Sequence, residues 1–229
     1  MEWVNFFAEV CNETIQGANA LMRSKSVNAL HARLYILECV QNIFKIRPSF
    51  EDASLEERQI IAGVFNDGET SWDLFGSMRG NGRYINKVNN NDENISLALD
   101  QIPLTGDVSR SRYQQFVKSY IKAFPQGGAG FATVSRLLAM KRPDQFVCIN
   151  GKNEANLRYM FATKRGKTRH DYDWYWDEMI QTIHHANWWK TPQPPIYEEL
   201  QMSVWLGRAA LLDAVAVYPL FPQQKGRFR

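Results

Sequence analysis

No stretch of the 229 residues approaches the ~20 consecutive apolar positions that a membrane-spanning helix requires, so no membrane partner is expected. The first residues, Met1-Glu2-Trp3-Val4-Asn5, lack the basic start and long apolar run of a secretory leader, and the expected location is cytoplasmic. Cysteine is scarce. Cys11, Cys39 and Cys148 are odd in number and far apart, a spacing that gives neither a disulfide framework nor a zinc or iron–sulfur site. The four histidines (His31, His170, His184 and His185) never fall at the i, i+4 spacing of a helical metal pair, so neither metal nor cofactor is expected. Alternating strand patterns are nearly absent; the best, Phe146-Val-Cys-Ile149, is too short to build a sheet. Repeats, low-complexity tracts and a dividing linker are missing too. A strong charge excess is also lacking: the net charge of +3 permits nucleic-acid binding without demanding it.

What is present is apolar and helical. At 45% hydrophobic and 13% aromatic, the chain can bury one sizeable core or two small lobes sharing an interface. Helical spacing recurs in Trp3, Phe6, Phe7 and Val10, and again in Leu30, Leu34, Leu37 and Phe44 up to Pro48. Ser54 and Glu57 have the form of a capping box, with a helix behind them that Gly68 is expected to close. Thr70 or Ser71 is placed to cap a short helix through Phe75. Asp107 or Ser109 starts another helix, and one more runs through Val134 and Met140 and stops before Pro143. Later helices are expected from Asn153 to Phe161, from about Tyr172 to Ile183, and from Glu198 to Val217. The fold class is all-α.

The most informative stretch runs from Phe124 to Leu157. A helix ends, Pro125-Gln126-Gly127-Gly128-Ala129-Gly130 follows, and a second helix opens with small residues. Glycine allows positive φ and close backbone approach, and the amides at a helix start suit a phosphate. Such a turn grips a DNA backbone without reading sequence, although a plain helix connection has the same look. After the second helix come a proline break, the apolar stretch 146–149, Asn150 and a further helix.

That order resembles the helix-hairpin-helix superfamily of DNA glycosylases. There a hairpin of the form L-P-G-x-G leads through a helix to an apolar stretch that ends in a catalytic aspartate. Phe124-Pro125 and Gly128-Ala129-Gly130 correspond to the hairpin with one extra residue between them, and the likeness covers roughly 35 residues. The resemblance implies a two-lobed helical fold forming one unit over 1–229. One lobe would hold approximately 1–30 and 150–229, so that both termini share it; the other would hold approximately 31–149 with hairpin 124–131. It implies a monomer that binds double-stranded DNA, flips a modified base and hydrolyses its N-glycosidic bond. It also implies a hypermodified substrate, such as glucosylated hydroxymethylcytosine in phage DNA, in an anti-phage role.

Two positions depart from the family pattern. The lysine nucleophile of bifunctional members falls on Ala132, which implies a monofunctional enzyme, and the catalytic aspartate falls on Asn150. A neutral amide neither offsets an oxocarbenium-like charge nor takes a proton from water. Asn150 positions water, replaces an aspartate, caps the helix that follows, or leaves catalysis to Asp144 or Glu154; Lys152 is a phosphate contact or a displaced amine. Asn150, Lys152 and Asp144 are the expected catalytic residues. Gln126, Gly127, Gly128 and Gly130 are the expected hairpin contacts. The loop Phe75 to Tyr84 supplies Arg79, Asn81, Arg83 and Tyr84 as a wedge that fills the gap left by the flipped base. A non-catalytic DNA-binding module using the same hairpin is the alternative. An endonuclease is disfavoured, because paired carboxylates on strands are absent.

Overall fold

The structure is a computed structural model that describes residues 1–11, 29–68, 70 and 72–216. Among these residues there is no strand, and the fold is all-α. Helix α1 covers 3–11. It is followed by α2 (Ala29–Ile46), α3 (Leu55–Ala62), α4 (Gly82–Asn89), α5 (Glu93–Asp100), α6 (Arg110–Lys122), α7 (Phe131–Lys141) and α8 (Glu154–Phe161). Helix α9 spans 172–185 and contains a π-helical segment, Tyr175–Ile180. Three short helices complete it: α10 (Asn187–Lys190), α11 (Glu199–Leu206) and α12 (Leu212–Ala216).

Local chemistry explains most boundaries. The Ser54 hydroxyl accepts from the Glu57 amide while Glu57 accepts from the Ser54 amide, the reciprocal box read in the sequence. Helix α3 ends at Gly63 in the left-handed conformation, not at Gly68, because Gly63 also hands its carbonyl to Met78. Residues 72–75 form a turn rather than a short helix, with Phe75 at positive φ; Ser71 lies outside the described residues. The helix expected from Glu198 to Val217 is interrupted after Leu206. There the amides of Ala209 and Ala210 donate to Pro143 O at 3.1 and 2.9 Å, a tertiary acceptor in place of a helical one. Val217 lies outside the described residues.

α7 runs through the middle and is almost wholly buried. Its Arg136 is fully enclosed, donating to Ile60 O, Ile61 O and Leu74 O, and it stacks over Phe75. One guanidinium thus ties α3 and the 72–75 turn to α7, satisfying carbonyls at a helix end and in a turn. The two ends of the described chain also meet. Phe6 stacks on Trp188 at 4.0 Å between ring centres, Trp3 donates to Gln201, and buried Arg33 pairs with buried Asp213 at 3.0 Å. No helix among the described residues is long and apolar enough to cross a membrane.

Candidate functional site: a cleft between hairpin and loop

The turn between α6 and α7 is held from both sides. Gly127 closes onto Phe124 O at 2.9 Å, and Gly128 sits at φ +120°, where a side chain is strained. Gly130 precedes α7 as an N-cap without a side chain, so no side-chain oxygen caps α7. Thr133 Oγ1 donates to Gly130 O at 2.9 Å and accepts from the buried Tyr120 hydroxyl at 2.7 Å, which fixes the turn against α6.

Loop 76–81 and the start of α4 reach this turn from far away in sequence. Asn81 Nδ2 donates to Gly128 O at 2.6 Å, while its Oδ1 caps α4 through the Tyr84 amide. Arg83 Nη1 donates to the carbonyls of Gln126 and Gly127, both at 3.1 Å. Both side chains therefore clasp the hairpin. Arg79 is exposed, leaning on Ser77. Tyr84 differs from its expected role: it is fully buried against Phe124 in the first turn of α4, so its ring is not offered to a base. Burial also pushes its phenol upward in pKa.

The basic loop 162–170 closes the third side. Arg169 O accepts from the Phe131 amide at 2.8 Å, and the Tyr172 hydroxyl donates to Ala129 O at 3.1 Å. Approach is so close that a Cβ on Gly130 would lie 2.7 Å from Arg169 O. Lys164, Arg165, Lys167, Arg169 and His170 are all exposed on this loop, with Arg169 and His170 beside the hairpin. The acidic run that follows is internally absorbed. Asp171 caps α9, and Asp173 and Asp177 pair with Arg110.

Together these segments enclose a cleft of about 310 Å³, whose lining includes Asn81, Gly128, Ala132, Asn150, Glu154 and Arg169. That volume is at the lower end for small-molecule pockets. Asn150 lies at its floor, with Gly76 packed so closely that a Cβ there would be 2.9 Å from the amide nitrogen. Asn150 Oδ1 accepts from the amides of Lys152 and Asn153 at 2.9 and 3.3 Å. Its Nδ2 faces Asp213 Oδ1 at 3.5 Å, and Asn153 Nδ2 reaches the same oxygen at 2.7 Å. Asn150 is thus a cap for the turn leading into α8, set on a buried carboxylate.

The other expected catalytic residues lie apart. Lys152 is exposed on the turn at 151–153 and does not line the cleft. Asp144 is removed from the site by its own chemistry. Burial alone would raise its pKa, but the Arg142 guanidinium, at 2.9 Å through both Nε and Nη2, holds it below the ordinary carboxylate range. It lines a separate cavity of about 570 Å³ beside α2 and α11, and the buried stretch 146–149 runs between it and Asn150. Gln126 and Gly127 are exposed at the hairpin tip. Among the described residues, no group of three or more His, Cys, Asp and Glu side chains is placed to hold a metal ion.

Three participants were not placed by sequence reasoning. The basic loop was visible as a charge run without an address. Asp213 stands inside the apolar run 209–216, and Arg136 on an apolar helix. A charge embedded in an apolar run signals a buried partner, but not which one.

Protein-family models, curated proteins and solved structures were compared with the chain. None matches it.

Proposed function

We propose that this chain binds duplex DNA through the 126–130 hairpin and acts as a monofunctional DNA glycosylase on a flipped, modified base. The observation that carries the reading is the convergence of hairpin, loop 76–81 and residue 150 on one cleft, although they are separated by tens of residues in sequence. In the helix-hairpin-helix resemblance these same three segments grip the backbone, fill the gap in the stack and face the sugar. The amides of Gly128, Ala129 and Gly130 have no backbone acceptor among the described residues, and the uncapped α7 start lies beside them. Arg169 lines the cleft, and exposed Arg79 and Lys152 adjoin lining residues in sequence, as phosphate contacts would. Ala132 in the lining leaves no amine there for a Schiff base, so hydrolysis without strand cleavage is the expected outcome.

One observation favours a non-catalytic DNA-binding module instead: the Asn150 side chain is already engaged by two amides and Asp213. The same experiment separates the two readings. Duplexes carrying uracil, hypoxanthine, an alkylated purine or glucosylated 5-hydroxymethylcytosine are incubated with the protein, then split and run with and without hot alkali. Breaks that need alkali, on at least one modified duplex, support a monofunctional glycosylase. Binding without breaks on any duplex replaces it with the module, and absence of binding removes both.

A further inference from the structure

A glycosylase cleft needs a negative group at the sugar, and residue 150 does not supply one. Its oxygen is taken by two backbone amides, and its nitrogen faces Asp213. Asp213 is only 1% exposed and is shared by Arg33 and Asn153, so it stands behind Asn150 and out of reach of a ligand. Asp144 opens onto the other cavity. One carboxylate remains in the lining: Glu154.

Glu154 opens α8 one helical turn after Asn150, and its amide donates to Asn150 O at 3.0 Å, so backbone geometry sets the two side by side. Two guanidiniums orient it: Arg158 Nε, buried and without a hydrogen-bond partner, is 3.4 Å from Oε1, and Arg165 Nε is 3.7 Å from the same oxygen. Among the described residues Oε2 takes no hydrogen bond, and the side chain is partly exposed on the cleft.

We propose that Glu154 is the catalytic carboxylate of this cleft, acting at the sugar carbon of the flipped nucleotide in place of a carboxylate at residue 150. The proposal rests on the glycosylase reading. The C1′–N bond breaks with its electron pair leaving on the base, which takes a proton from solvent. A water oxygen bonds to C1′ as the positive charge develops on the sugar. The Glu154 carboxylate offsets that charge, takes the water proton on Oε2, and returns it to solvent. The products are the free base and an abasic deoxyribose.

The test compares wild type, Glu154→Gln and Glu154→Asp in single-turnover formation of alkali-labile sites on the duplex panel above. It is run from pH 5 to 9, with duplex Kd and thermal midpoint measured in parallel. The Gln variant, isosteric but unable to carry charge, is expected to lose about 100-fold or more in rate and to keep its Kd within about 3-fold. Wild type should show an acid limb in its pH–rate profile that Gln abolishes and Asp shifts, a readout that a purely structural role leaves unmoved. If wild type releases a base and folded Gln variant does so within about 3-fold of it, Glu154 is overturned and the glycosylase reading stands. If wild type releases nothing from any duplex, both fall. Should Gln fail to fold, Asp decides: a carboxylate drawn back by one methylene is expected to cost about 10-fold at unchanged Kd, and an unchanged rate overturns the assignment.

Discussion

Asn150 occupies a position whose neighbours ask for an acceptor on one side and a donor on the other. An amide offers both, whereas a carboxylate keeps the acceptor and sets a second negative charge about 3.5 Å from Asp213. Asn150→Asp is therefore expected to destabilise the fold at pH 7 by about 1–3 kcal/mol in denaturant titration. The new carboxyl would have a higher pKa folded than unfolded. The penalty is thus absent below the unfolded value of about 3.9 and grows as pH rises through the folded one, so the gap to wild type should close on acidification. Gly130 makes a similar point through space alone. A methyl group there meets the backbone oxygen of Arg169 at 2.7 Å, so Gly130→Ala should lower the thermal midpoint and weaken duplex binding. Gly82→Ala, with nothing within 4 Å, should leave both unchanged or raise the midpoint. At this scale the sequence shows residue types and spacings: the amide at 150 and the missing lysine at 132 are read directly. Which carboxylate faces the cleft is not, because Asp144 and Glu154 stand on either side of residue 150 in sequence and only the fold turns one to the cleft and the other to a second cavity.

Elements joined by backbone hydrogen bonds behave as units, and the hairpin with loop 162–170 is one. Replacing Lys167 and Arg169 together by Glu should weaken binding to all duplexes alike. The slope of log K against log salt should flatten by about 0.9 for each phosphate that the variant no longer neutralises. An unchanged slope would show that the loop does not touch DNA. Helix α9 carries a different sensitivity. Near its end His184 donates through Nε2 to Gln145 O at 3.0 Å and stacks on Trp189. Burial lowers its pKa to about 4. Because the unfolded chain takes up this proton near pH 6.5 and the folded chain does not, stability is full above 6.5. It falls by up to about 3 kcal/mol as pH drops toward 4. Unfolding free energies of wild type and His184→Gln between pH 4 and 7 should show that slope only in wild type. Most helices are legible because capping and periodicity agree, as at Ser54, Ser109 and the stop before Pro143. Helix α4 was not: its glycine and asparagines are poor helix formers. What holds it is tertiary, the burial of Tyr84 and Val88 and the Arg58 guanidinium on Val88 O.

Across the whole molecule the decisive interactions span long sequence separations. Arg33 and Asp213 lie 180 positions apart and are both buried, so removing the carboxylate takes a buried counter-ion from Arg33. Asp213→Ala should cost about 3–5 kcal/mol and also loosen the Asn150 turn, whereas replacing Arg33 and Asp213 together by Met and Leu should cost much less. A double-mutant cycle in urea measures the difference. The all-α class was legible from the absence of strand patterns. The particular contacts between the ends were not legible, since Trp3 and Phe6 carry no mark that names Trp188 or Gln201 as their partners.

The cations that hold the centre also set an order in time. Arg136 binds carbonyls 62 to 76 positions upstream, and Asp213 arrives 180 positions after Arg33. At synthesis rates of about 5–20 residues per second, α3 waits roughly 4–15 s on the ribosome for Arg136, and Arg33 waits roughly 9–36 s for its counter-ion. Small domains fold in microseconds to seconds, so translation sets the pace here. For that interval the faces of α2 and α3 that pack on α7 lie open on the nascent chain, and they are covered only once α7 has emerged.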